Sequence, residues 1–309
     1  MPKDFLSVAD WPADELLRML ERARDLKRLL RAGERPQTLE GRTLAMYFEH
    51  PSLRTHVTFE AGMAQLGGHA IFLTPEQIGI GTRESARDVA SSLSRWVDVL
   101  VARTTSHALV EELARVASIP VVNALTDLLH PCQAMADVMT ISERVELKEA
   151  RIAYVGDGNN VAHSLLLLAS VLGLELRLAT PESHRPASRV RRRAAELAAA
   201  SGARILFSAD PVEAVAGVHF VYTDVWTSMG QEREAEARRR VFEPYQVNAA
   251  LLAHAPDAFV MHDLPAHRGE EITDEVLDGP RSIVFDQAEN RLHVQKAILE
   301  RLLSDRRAA

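Results

Sequence analysis

Residues 48–60 read FEHPSLRTHVTFE and carry the first group of side chains fit for chemistry. Pro51 marks a turn after an apolar run, and Ser52, Arg54 and Thr55 open a helical pattern. A helix start presents free backbone N–H groups and the positive end of the helix dipole. Two hydroxyls and a guanidinium add charge-assisted hydrogen bonds, so the group suits a phosphate. Taken alone, the stretch reads better as an ordinary helix cap, with Ser52 capping and Arg54 solvated, since Ser-x-Arg-Thr occurs often by chance.

A second group is HPCQ, residues 130–133, where His130 and Gln133 can each donate to a carbonyl oxygen or accept from an amide NH2. Arg103 follows the apolar run 97–102. Ligands of open parallel sheets lie outside the carboxyl ends of the strands, so polar groups at successive strand ends make a candidate site. The third group, VGDGNNVAHS at 155–164, invites a dinucleotide-binding reading. Val161 stands where that fingerprint needs its last glycine, and the next apolar run reaches Thr180 before any acid, so NAD fits poorly. What remains is a tight turn presenting Asn159 and Asn160.

The fourth group, DVWTSMGQE at 224–232, sets a carboxylate and a hydroxyl past another apolar run, which suits the ammonium and carboxylate of an amino acid. The fifth is HDLPAHRGEE at 262–271, followed by FDQAENRLHVQK at 285–296. Pro265 pushes Leu264 out of the helical region. Arg291 lies on the last helical pattern and can reach back to an anion.

The elements that must position these residues alternate along the chain. Strands are expected at 43–48, 69–73, 97–102, 119–124, 151–156, 175–180, 203–208, 218–224 and 258–263. Helices are expected near 54–66, 84–95, 107–117, 130–147, 159–172, 186–200 and 286–304. An earlier helix starts after Asp10, shows the stripe Leu16, Leu17, Leu20 and Leu26, and stops at Gly33. This rhythm predicts an α/β fold of two doubly wound parallel-sheet domains, 1–145 and 146–309, with helix 286–304 packing back on the first.

At 309 residues the chain is long enough for about two domains of ordinary size. Its lone cysteine, Cys132, excludes an internal disulfide. The net charge of −7 argues against a nucleic-acid partner, and the basic runs 189–193 and 238–240 read as solvated helix faces. The longest apolar run, 165–174, is half of the ~20 residues a membrane span needs, and the N-terminus lacks a secretory pattern. A cytoplasmic enzyme without membrane association is expected.

Taken in order, the five groups closely resemble the aspartate/ornithine carbamoyltransferase superfamily, and within it the ornithine carbamoyltransferases, from FEHPSLRT to ENRLHVQKA. The resemblance implies that Ser52, Leu53, Arg54, Thr55, Arg103, His130, Gln133, Asp263, Leu264 and Arg291 bind carbamoyl phosphate. It implies that Asn160, Asp224, Ser228 and Met229 bind L-ornithine, and that Asp263, Arg103 and His130 are catalytic. The products are then L-citrulline and phosphate, a reaction of arginine metabolism needing no metal or organic cofactor. It further implies a homotrimer or a multiple of trimers, with the loop 74–84 reaching a neighbouring subunit's site.

Departures from the family's usual residues include Leu53, which loses a hydroxyl while keeping its backbone N–H, and His56. The usual HCLP is HDLP here, so Asp263 replaces a cysteine. Free cysteine titrates near ~8.5 and aspartate near ~3.9, so the replacement installs a negative charge at neutral pH. That charge can hold the δ-amino group of ornithine and accept its proton. The alternatives are a carbamoyltransferase for another amine (N-acetylornithine, putrescine or aspartate) or a catalytically impaired paralogue that binds carbamoyl phosphate.

Overall fold

The computed structural model describes residues 2–304 apart from 229 and 231. The chain divides into two compact units, one running to Ala136 and resuming at Glu289, the other from Asp137 to Ala288.

In the first unit the elements run α1 (Ala13–Arg31), β1 (Thr43–Phe48), α2 (Leu53–Gln65), β2 (His69–Leu73), α3 (Pro75–Ile78), α4 (Ala86–Trp96), β3 (Val99–Arg103), α5 (His107–Val116), β4 (Val121–Leu125) and the start of α6 (Pro131–Ser142). The second runs β5 (Arg151–Val155), α7 (Asn160–Leu172), β6 (Glu175–Ala179), α8 (Ser188–Ser201), β7 (Arg204–Ser208), α9 (Pro211–Val215), β8 (Phe220–Thr223), α10 (Ala235–Phe242), α11 (Ala249–Leu252), β9 (Phe259–His262) and α12 (Asp274–Leu277). Helix α13 (Val284–Ser304) begins in the second unit and ends in the first.

Both sheets are parallel, ordered β2-β1-β3-β4 and β7-β6-β5-β8-β9. The order reverses between β1 and β3 in one sheet and between β5 and β8 in the other, and such switch points are where open α/β sheets open a crevice. Central strands are apolar on both faces because helices cover both: Leu44 to Phe48 and Val99 to Ala102 are buried. Edge strands β2 and β7 are more exposed.

The expected two-sheet α/β architecture holds, and so does the return of the last helix. Within the first unit Lys27 Nζ donates to Asn290 Oδ1 at 2.8 Å, Arg22 pairs with Glu300 at 2.5 Å and Arg301 with Glu15 at 2.7 Å. Some local expectations differ. Leu17 is 39% exposed while Met19 is buried, since at 100° per residue Met19 falls on the inward side beside Leu16 and Leu20. Helix α6 ends at Ser142 rather than 147, where the Ser142 hydroxyl donates to the Met139 carbonyl and the chain turns on Ile141.

Candidate active site

In the first unit the β1/β3 switch point gathers the expected phosphate group. Ser52 caps α2, its Oγ accepting from the Thr55 amide at 3.3 Å. Thr55 is buried, and its Oγ1 accepts from Arg291 Nη2 at 2.9 Å and from Arg103 Nη1 at 3.5 Å. Arg103 is the last residue of β3 rather than the first beyond it. Arg291 also donates to Gln133 Oε1. Leu53 faces outward at 73% exposure, so only its backbone is available to a ligand here. His56 stacks on Phe72 with centroids 4.0 Å apart and pairs with Glu60 at 3.1 Å, which gives that departure a local packing role.

His130 lies among these cations. Burial, followed by the charges of Arg291, Arg103 and Arg54, holds its pKa well below the usual 6.5. It is therefore neutral at pH 7, able to donate one N–H without adding to the positive charge. Cys132, next but one, is buried, and burial pushes its thiol up to about 12, so it is no nucleophile.

The second unit gathers the other group at the β5/β8 switch point. Asn159 caps α7, its Oδ1 accepting from Val161 N at 3.0 Å and Ala162 N at 3.1 Å, while Nδ2 donates to Asp224 Oδ2 at 2.6 Å. Asn160 is the first residue of the helix. Asp224, directly after β8, accepts its own loop's Val225 amide at 2.7 Å. Ser228 follows four residues later, partly buried. Met229, expected on ornithine, lies outside the described residues.

Asp263 and Leu264, which the resemblance gives to carbamoyl phosphate, stand in this second unit beside Asp224. Polar atoms of Asp224, His262 and Asp263 lie within 4.8 Å of one another. Burial, then the Asp263 charge and a hydrogen bond to Asp263, holds the Asp224 carboxyl well above 3.8. A buried carboxyl beside a second, half-buried one is hard to ionise, so Asp224 favours its protonated form.

His262 braces this pair from behind. Its Nε2 meets Glu271 Oε1 at 3.0 Å, and the Leu264 amide donates to Nδ1 at 2.9 Å. That amide direction is fixed by the backbone and requires a lone pair on Nδ1, so the ring drawn here is neutral with its proton on Nε2. Burial opposes the charged form, but hydrogen bonds to Asp263 and Glu271 draw the pKa up to about 10; protonation would exchange the Leu264 bond for an Asp263 contact. With both ring nitrogens engaged in either state, His262 has no lone pair for a metal ion, and the trio reads as a hydrogen-bonded acid pair.

Sequence reasoning placed Asn159 in the tight turn beside Asn160 but gave it no partner, and it assigned no role to His262, Glu271 or Arg238. Asn159 was legible as the N-cap before an apolar helix. Arg238 was expected on a solvated face, but it is 5% exposed and ion-paired with Asp157, whereas Arg239 and Arg240 face solvent.

The first unit thus carries an arginine cluster at a helix start and the second a carboxylate–amide group, each within its own unit. The carbamoyl-phosphate-binding domain of the aspartate/ornithine carbamoyltransferases matches residues 3–143, and their aspartate/ornithine-binding domain matches 148–302. The chain belongs to the aspartate/ornithine carbamoyltransferase family. It is 50% identical over 303 residues to the ornithine carbamoyltransferase of Pyrococcus abyssi, covering 97% of this chain and 96% of that one. It is 51% identical to the one from Anoxybacillus flavithermus over 97% of this chain and 96% of that one. The solved ornithine carbamoyltransferase of Pyrococcus furiosus superposes with a TM-score of 0.93 at 50% identity, covering 96% of this chain and 95% of that one.

Proposed function

We propose that this chain transfers the carbamoyl group of carbamoyl phosphate to the δ-amino group of L-ornithine, giving L-citrulline and phosphate. The observation that carries the reading is the convergence of Arg103, Arg291 and Thr55 at the start of α2, with neutral His130 among the same cations. A phosphate dianion and the carbonyl oxygen of its carbamoyl group together need this pattern: fixed positive charge for one and an uncharged N–H donor for the other.

The first domain then holds carbamoyl phosphate through Ser52, the Leu53 amide, Arg54, Thr55, Arg103, His130, Gln133 and Arg291. The second holds ornithine through Asn160, Asp224, Ser228 and Met229. The neutral amine attacks the carbamoyl carbon, a C–N bond forms, the C–O bond to phosphate breaks, and the guanidinium groups stabilise the departing phosphate. The amine's proton passes to Asp263 or to the leaving phosphate. Orientation of two bound substrates accounts for much of the acceleration. Asp263 and Leu264 complete the carbamoyl-phosphate set in this reading.

A homotrimer is part of the same reading. Leu53, Val57 and Ile71 on α2 and β2 are at least 40% exposed, the kind of apolar face a second copy covers. Among the described residues no helix is long and apolar enough to cross a membrane, and we place the enzyme in the cytoplasm. The test is turnover of carbamoyl phosphate with a panel of amines. Citrulline from ornithine supports the reading; product from only aspartate, N-acetylornithine or putrescine replaces it with one of its alternatives.

A further inference from the structure

The basic run 238–240 splits: Arg239 and Arg240 face solvent, and Arg238 turns inward to 5% exposure. Its guanidinium makes two bonds with different segments. Nη2 donates to Asp157 Oδ2 at 2.5 Å, and Nε donates to the backbone carbonyl of Trp226 at 2.5 Å. One turn further along α10, Phe242 stacks on the Trp226 ring, with centroids 5.9 Å apart and planes 18° apart. Arg238 itself lies 5.1 Å over the Phe242 ring. Helix α10 thus grips Trp226 twice, by carbonyl and by ring.

Both partners adjoin the amine-binding group. Trp226 is two residues from Asp224 and two from Ser228. Asp157 sits in the Gly156–Asp157–Gly158 turn, immediately before Asn159, whose amide holds Asp224. The turn packs closely on its neighbours: the Gly158 amide donates to the His184 carbonyl at 3.0 Å, and a Cβ on Gly158 would stand 2.3 Å from Pro186 N and 2.5 Å from His184 O. Arg238 ties the loop 224–228 to the Asp157 carboxylate of that turn.

We propose that Arg238 and Asp157 are positioning residues for the ornithine half-site, setting the Asp224–Ser228 loop in the conformation that receives the amino acid without touching it themselves. The proposal rests on the ornithine reading above. Loss of a merely structural ion pair would lower stability and affect both substrates alike. Loss of a clamp on this loop raises the KM for the amine and leaves carbamoyl phosphate alone.

The experiment compares wild type with Arg238→Lys, which keeps the charge but cannot hold both partners, and with Asp157→Asn, which keeps the shape but loses the charge. Arg238→Met is added as the full removal, and thermal unfolding is measured for all. Small misplacements of a binding group cost up to about 100-fold, so KM for ornithine should rise by roughly 10- to 100-fold in Asp157→Asn and Arg238→Met. Arg238→Lys should recover part of that loss, and KM for carbamoyl phosphate should stay within about twofold in all variants. If Arg238→Met does not fold, the two conservative variants decide the matter. Folded variants with both KM values unchanged, or with both altered equally, overturn the proposal. A wild type inert toward ornithine but active on another amine defeats the ornithine reading instead, and the same KM split is then read with that amine.

Discussion

Asp263→Asn removes the charge that sets this chain's HDLP segment apart, and its effect can be worked from the geometry. Asp224 and Asp263 share a hydrogen bond, and their polar atoms lie within 4.8 Å. At 4.8 Å, the outer limit of that spacing, and an effective dielectric of about 20, two unit charges interact by roughly 3.5 kcal/mol. Burial is the larger cause of the raised Asp224 carboxyl and persists in the variant, while the Asp263 charge is removed. The Asp224 carboxyl should therefore titrate lower in the variant and still above 3.8.

If Asp224 receives the α-ammonium of ornithine as a carboxylate, kcat/KM for ornithine must drop on the acid side as Asp224 gains its proton. The acid-side break should accordingly move to lower pH in Asp263→Asn. The assay is initial citrulline formation at subsaturating ornithine and saturating carbamoyl phosphate, across the pH range in which both proteins stay folded. The height of the plateau is a separate readout, and a lower plateau would mark Asp263 as the proton acceptor. A break that stays in place, or moves up, would show that the two carboxylates do not interact as their separation requires, and the reasoning fails.

Three other perturbations follow from the same structure. Arg291→Gln removes a buried donor to Thr55 and should lower kcat/KM for carbamoyl phosphate by about 100- to 1000-fold; steady-state kinetics showing less than tenfold would separate Arg291 from the phosphate. Gly158→Ala drives a methyl group into the backbone of residues 184–186 and should destabilise by about 3 kcal/mol or more, read from urea midpoints at constant m. Burial holds the Asp157 carboxyl up at about 6, against the opposing pull of Arg238 and the Gly158 amide, from an ordinary 3.8. Between those values the folded chain binds a proton the unfolded chain has released, so this group's contribution to stability declines as pH rises through that window. Asp157→Asn removes that decline, worth about 3 kcal/mol; urea unfolding across the window should show stability rising more steeply with pH in the variant, and an unchanged slope refutes it.

Much of the fold was legible in the sequence because its central strands are apolar on both faces and its helices carry clear caps. The run 43–48 and the Ser52 cap are both read locally, and the structure puts them where the sequence does. The cluster of Thr55 and Arg103 was legible for the same reason, since they stand at a helix start and a strand end. What escaped were residues whose role depends on a partner far along the chain. Arg238 meets Asp157 across 81 positions, and nothing in RRR tells its first arginine from the other two. Glu271 is hidden in a polar loop, and only the fold shows that it holds His262 from behind Asp263. Leu17 misled because a leucine in a helical stripe looks inward by type, while its angle places it outward.

The central claim is best tested by mixing the pure protein with carbamoyl phosphate labelled at its carbon and L-ornithine, and following the label by NMR. The label should move into the ureido carbon of citrulline, with one phosphate released for each citrulline formed. Release of phosphate with the label left in carbamate or bicarbonate, or transfer only to an amine other than ornithine, would contradict it.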